Sequence, residues 1–401
     1  MSYKIYAPDG FGKYFERKTR KQIIKSGLPI ENVAGGVIAV DQQTRAYGVF
    51  TKDFKFVKSS LQKRNQDGQF IPKIARQKDI PFIDADALYL GNVYPQFGHF
   101  LLEHMNRAWG LLDDRYGNAK VVLVRNKKCD VPEWMYALVE MIGVRRDDII
   151  VLDRTTRFRS VIVPAQGFNI PVYSSREYQT AFDKMAARAS APDVVHEKIY
   201  LSRAALSPRR IHGEEKIQRI FEKNGFYIAY PEKMPLREQV SLMKNCKVLA
   251  GLAGTALHLA LFMPAGGRVI QIKRNRRNKC NAPIQYLINK NKNIDSVFIW
   301  ASLEKYKTDH GTLGLQIVGV TRYMREFFRD FGFECSQEDL CPDVAEWNRY
   351  KDALAAYKKE KGGMLANDVK RLAIKLSACA VPGRMRRGRF RKWMKRRLKV
   401  E

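Results

Sequence analysis

Between Lys198 and Ile272 short β-rich runs alternate with segments of helical period, and this alternation limits the fold more than any other feature of the chain. Lys198 to Ser202 reads as a strand, Glu214 to Lys223 as a helix with Ile217, Ile220 and Phe221 on one face, and Phe226 to Tyr230 as another strand. Pro235 opens the next helix at its first turn, where a missing N–H costs least, and that helix buries Leu236, Val240 and Met243. Val248 to Ala250, a glycine turn, a helix to about Met263 and the strand Arg268 to Ile272 complete the unit. Repeated β-α of this kind predicts an α/β fold, with helices layered on a mainly parallel sheet.

A similar pattern runs upstream. Phe82 to Leu90, Lys120 to Val124, Ile149 to Leu152 and Val161 to Val163 read as strands, with helices near 99 to 114 and 131 to 142. Val37 to Val40 and Ala46 to Phe50 are further strands, and the first 80 residues are assigned to this first unit. The stretch Ser190 to Glu197 is the expected link. A chain of 401 residues exceeds one ordinary core, so the reading is an N-terminal domain over 1–190, a second over 191–310, and a helical, basic region over 311–401.

The 72 basic residues outnumber the 41 acidic ones and leave a net charge of +31, which implies an anionic partner or working surface. Six cysteines without a Cys-x-x-Cys pair suggest reduced thiols and a cytoplasmic protein, and no structural zinc has a spacing to use. No secretory signal is read at the start. Val248 to Met263 is uncharged and largely apolar, but glycines divide it and it falls short of about 20 residues, so a buried strand, turn and helix are expected there.

Several constellations could carry chemistry. Gly251-Leu-Ala-Gly-Thr-Ala-Leu-His258 lies between a strand and a helix, where glycine lets backbone approach a ligand and the helix start offers N–H groups to phosphate. Gly251, Gly254, Thr255 and His258 are its candidate ligands. Arg203 ends a strand, where open α/β sheets gather ligands, and Arg209 and Arg210 follow. Lys273, Arg274, Arg276, Arg277 and Lys279 read equally as phosphate ligands or a solvated basic loop. Upstream, at 100° per residue, Leu101, Leu102, Met105, Ala108, Trp109 and Leu112 form an apolar face. His99, Glu103, Asn106 and Arg107 gather opposite it, with His99 and Glu103 neighbours at i and i+4. Open to a cleft, such a pair can deprotonate a hydroxyl; the plainer reading is a solvated polar face. His104 points off that face and reads as structural. Asp84-Ala-Asp86 has the form of a metal-holding pair, a pattern too short to weigh.

These residues also carry a resemblance. Tyr200-Leu-Ser-Arg203, Arg209-Arg210-Ile-His-Gly-Glu214, Gly225-Phe, Tyr230-Pro-Glu232, Arg237-Glu-Gln239, Gly251 to His258 and Leu261-Phe-Met-Pro264 resemble, in order and spacing, the catalytic domain of glycosyltransferase family 61, in its bacterial branch. Phe97-Gly-His-Phe-Leu-Leu-Glu103 is similar to that family's histidine, aromatic, two apolar residues and acid. The resemblance implies a GT-B architecture of two facing Rossmann-like domains. It implies inverting sugar transfer from a nucleotide-sugar donor to a glycan or lipid-linked acceptor of capsule or lipopolysaccharide type, without cofactor or obligatory metal. Glu103 and His99 are then catalytic, and Arg203, Arg210, Glu214, Gln239, Gly251, Gly254, Thr255, His258 and Gln271 bind the donor. Ala253 and Gln271 stand where many members carry histidine and an acid, which motivates an alternative, a scaffold of this fold with impaired catalysis. A basic nucleic-acid-binding protein is a second alternative, but no RNA motif, zinc finger or recognition helix accompanies the charge, so no nucleic-acid partner is expected. The tail Arg384 to Lys399 mixes ten cations with Phe390, Trp393, Met394 and Leu398, a composition suited to the anionic inner membrane surface.

Overall fold

The structure is a computed structural model, and it describes residues 2–41, 46–62, 79–125, 130–206, 211–275, 282–303 and 315–357, with 359 and 394. It is mixed α/β, built on two main sheets.

The second sheet follows the alternation read from the sequence. Its six strands pair in parallel throughout, in the order Tyr3–Tyr6, Asp295–Trp300, Arg268–Lys273, Val248–Leu252, Lys198–Leu201, Tyr227–Ala229. Covered on both faces, these strands are nearly continuous apolar runs, as parallel strands are. Counted along the chain from Lys198, the strand order is 2-1-3-4-5, and it reverses direction between Lys198–Leu201 and Val248–Leu252. Ligands of doubly wound sheets collect beyond the carboxyl ends of the strands at such a reversal. Arg203 and Gly254 leave the sheet at this point.

The extra strand Tyr3–Tyr6 corrects the sequence reading of the first 80 residues. It pairs with Asp295–Trp300, so the start of the chain lies in the second sheet, not the first. The helix Asp9–Thr19 that follows buries Phe11 and Phe15 against Phe298 and Trp300.

The first sheet is mixed. Phe82–Val93 runs parallel to both Lys120–Arg125 and Thr156–Pro164, and Ile149–Leu152 extends it. Ile30–Ala34 and Val37–Asp41 add antiparallel to Thr156–Pro164, and Ala46–Phe50 pairs with Val37–Asp41. One apolar cluster continues from this sheet to the second, from Leu88 and Leu123 through Phe100, Leu101 and Phe182 to Leu249, Leu257 and Phe262. The helix Arg176–Arg188 bridges the halves: Gln179 donates to the Leu261 carbonyl, and Tyr178 donates to the Leu101 carbonyl. The halves therefore share a core.

After 315 the described chain is mainly helical, with Arg322–Asp330, Gln337–Leu340 and 344–357. Among the described residues no helix is long and apolar enough to cross a membrane. The basic tail lies outside the described residues apart from Met394.

Candidate active site

The stretch expected as one helix over 99–114 is a composite. Phe97–His99 makes a single helical turn, Phe100–His104 is π-helical, and Met105–Leu112 is a 3₁₀-helix. A wide turn followed by a tight one shifts the phase of a 3.6-residue wheel, and the polar face read from that wheel splits. Its first half stays together at the surface: His99 Nδ1 and Glu103 Oε2 are 2.5 Å apart, with 28% and 21% of the side chains exposed. Its second half is buried. Arg107 is 0% exposed and donates to the carbonyls of Pro164, Ser59 and Leu61, and burial holds its guanidinium down at about 10. Asn106 donates to the Phe168 carbonyl. These two side chains fasten loops to the first sheet and are not part of a solvent-facing strip. His104 is buried, and the cost of charging it there pushes its pKa down to about 3.

The turn Phe97–His99 rests on the glycine turn of the second half. A Cβ placed on Gly98 would lie 2.4 Å from Thr255 Cγ2 and 3.4 Å from His258 Cδ2, so only glycine permits this approach. Two motifs more than 150 residues apart in sequence thus meet in van der Waals contact.

Around that contact the candidates separate into three groups. Arg203, Gln239 and Thr255 line a cavity of 520 Å³ between the halves. Arg203 reaches across it to Gly254, since a Cβ on Gly254 would lie 3.1 Å from its Nη1. Arg203 Nε is buried without a partner. Gln239 spends both amide protons on the Pro231 and Met234 carbonyls, which shapes the loop 231–234 and leaves Oε1 as the atom it can offer a ligand. Thr255 is exposed and begins the 3₁₀-helix Thr255–Phe262, whose first N–H groups lack intrahelical acceptors.

A second group is buried behind the cavity. His258 is 3% exposed and its Nδ1 is 2.9 Å from Gln285 Oε1. Gln285 donates to the Leu257 carbonyl and to Asn289 Oδ1, which fixes its Oε1 as acceptor and His258 Nδ1 as donor. Burial, with a smaller contribution from His99, pushes the His258 pKa down to about 4. Gly251 is buried where a Cβ would meet the Leu201 carbonyl at 2.8 Å, so it serves strand packing. Gln271 is 3% exposed with Oε1 unpartnered. Glu214 is 0% exposed: Oε1 accepts from the Arg203 N–H at 3.0 Å and from the Tyr200 hydroxyl at 3.4 Å, while Oε2 has no partner. Burial raises its pKa to about 7. It positions the backbone of Arg203 from behind.

A third group is not placed. Arg209 and Arg210, and Arg276, Arg277 and Lys279, lie outside the described residues. Lys273 is 4% exposed and sits 4.9 Å over the Trp300 ring, which sets it in packing and not in a solvated loop. Asp86 is engaged by Arg159 and Ser160.

The sequence reading missed the first-half wall of the cavity, Pro95, Phe97 and Trp134. Trp134 packs edge-on against Phe100 with ring centroids 5.3 Å apart. Its signal was weak, because it stands at the margin of the face that Met135, Leu138 and Val139 turn to the core.

No curated protein matches the chain. The solved bacterial iron-containing dodecameric glycosyltransferase TibC from enterotoxigenic E. coli is similar over 63% of this chain and 79% of its own, at 10% identity and a TM-score of 0.25. Residues 97–270 match the family model Glycosyltransferase 61, a span that opens at the His99 turn, closes beside Gln271 and supports a glycosyltransferase.

Proposed function

We propose that the chain is an inverting glycosyltransferase of GT-B layout that moves a sugar from a nucleotide-sugar donor to a glycan or lipid-linked acceptor for the cell surface, without a metal. The observation that carries this reading is the contact of Gly98 with Thr255, which sets an acid–base pair beside a phosphate-suited turn at the switch point of a doubly wound sheet.

The donor diphosphate lies against the first N–H groups of Thr255–Phe262 and the Arg203 guanidinium. Gln239 Oε1, held by its own loop, accepts from the donor. The acceptor hydroxyl attacks the anomeric carbon from the face opposite the diphosphate. Its proton passes to the His99–Glu103 pair as the C–O bond to phosphate breaks, and the electron pair leaves with the diphosphate. Arg203 and the N–H groups stabilise the charge that grows on the leaving group, an effect that gains strength in a water-poor cleft. The buried groups, His258 and Glu214, hold this frame without touching the reacting atoms. The tail 384–399 brings the protein to anionic membrane, where a lipid-linked acceptor resides.

The test is to incubate the protein with a panel of nucleotide sugars, recording melting temperature and release of nucleoside diphosphate. One donor should raise the melting temperature and be consumed. A panel that neither stabilises the protein nor is turned over contradicts the reading.

A further inference from the structure

A second concave site lies away from the cleft, beside the edge strand Tyr3–Tyr6 of the second sheet. Because the helix Asp9–Thr19 buries Phe11, Phe15 and Thr19, it turns Lys13 and Arg17 to solvent, and Arg20 follows at its end. Spaced at i, i+4 and i+7, these cations share one face over about 10 Å. Lys290 of the helix Ala282–Lys292 lines the same groove of 610 Å³, its Nζ held by the Gln22 carbonyl at 2.9 Å. Among the described residues no carboxylate pairs with Lys13, Arg17 or Arg20, although Glu16 borders the groove beside them. Tyr3, 41% exposed, and Tyr286 complete the lining with rings edge to face at 5.6 Å.

We propose that this groove binds an acidic glycan. Four cations supply partners for carboxylate or phosphate substituents. The tyrosine rings supply apolar faces for the C–H sides of sugar rings, and the Glu16 carboxylate and tyrosine hydroxyls supply partners for sugar hydroxyl groups. A lipid surface is met by a helix that lays apolar side chains into it, whereas the apolar face of this helix is already buried in the protein. Single-stranded nucleic acid is held in grooves where cations track phosphates and rings stack on bases, and a carboxylate among the cations works against it. The inference does not rest on the reading of the cleft, with which the groove shares no residue. The two are nevertheless backed by one helix, because Ala282–Lys292 carries Gln285 inward to His258 and Tyr286 outward to the groove.

The experiment is to titrate the full chain at about 0.15 M salt with an oligomer of sialic acid, using neutral dextran, single-stranded DNA and phosphatidylglycerol vesicles for comparison. The sialic acid oligomer should bind and the dextran should not. Lys13→Glu with Arg17→Glu should weaken that binding about tenfold or more. Lys52→Glu with Lys55→Glu, the same change of charge on exposed residues of the first half, should leave it within about twofold. Tyr3→Ser, measured at a temperature where the variant remains folded, should weaken binding with no change in the charge of the groove, which separates ring contact from net charge. Equal weakening by both charge reversals reduces the effect to net charge and overturns the proposal. So does a groove variant that loses DNA or vesicle binding while keeping its affinity for the acidic sugar.

Discussion

His99 and His258 stand on the two sides of one contact, each bonded through Nδ1, and their partners differ in kind. His99 meets a carboxylate and keeps 28% of its side chain exposed; His258 meets an amide oxygen and is 3% exposed. A carboxylate neighbour and open solvent let a histidine exchange protons, whereas an amide partner in an apolar core holds it neutral. The carboxylates divide the same way, Glu103 at the surface and Glu214 in the core. On the proposed reading the first half supplies proton chemistry. The second half supplies backbone N–H groups, one arginine and the buried frame that aims them.

The sharpest way to break this division is His99→Ala. Positioned acid–base groups contribute roughly 10² to 10⁴ in rate, about 3 to 5 kcal/mol of barrier, so turnover should fall by that factor while melting temperature changes little. If His258→Leu lowers turnover as much under conditions where that variant remains folded, the two histidines are not different in kind.

Glu214 gives the next effect, on stability. Its carboxyl is neutral in both states below about pH 4.5, so the burial penalty is absent there; the penalty grows as pH rises from 4.5 to 7 and is complete above 7. The displacement from 4.5 to about 7 corresponds to about 3 kcal/mol. Glu214→Gln keeps an oxygen for the Arg203 N–H and should flatten this loss when unfolding is measured between pH 5 and 8. An unchanged slope would place the titration elsewhere.

His258 acts in the opposite sense. With its folded pKa held below the unfolded value, it contributes stability above pH 6.5 that is lost as pH falls toward 4. His258→Leu leaves Gln285 Oε1 without its donor and should cost about 2 kcal/mol at pH 7.5, read from denaturant unfolding.

The smallest effect concerns the donor. Gly254 is extended, so its backbone tolerates a side chain, but a valine there crowds Arg203. Gly254→Val should weaken nucleoside-diphosphate binding about tenfold in calorimetry, near 1.4 kcal/mol, with the fold intact. Equal affinity would move the donor away from this turn.

Much of this was readable from the chain because the second sheet punctuates itself. Its strands are apolar runs and its breaks carry glycine or proline, as at Pro235 and Gly254. The strand Tyr3–Tyr6 was not, because its partnership of Tyr3 with Ser296 spans the chain and leaves no local trace. Arg107 was misread because a 100° wheel does not describe a π-turn followed by 3₁₀. The candidate site was legible as two motifs. Their contact was not, since nothing near Gly98 in sequence names Thr255 as its neighbour, and the same holds for Trp134, whose role depends on a cavity formed by the other half.

The central claim is that the first-half pair handles the proton while the second half holds the donor. The most direct measurement is turnover and donor affinity together in Glu103→Gln, which keeps the shape of the side chain and removes its charge beside His99. The account predicts turnover lower by roughly 10² or more, with donor affinity within about twofold of the unsubstituted protein. Near-normal turnover, or a loss of donor affinity that explains the whole effect, would contradict it.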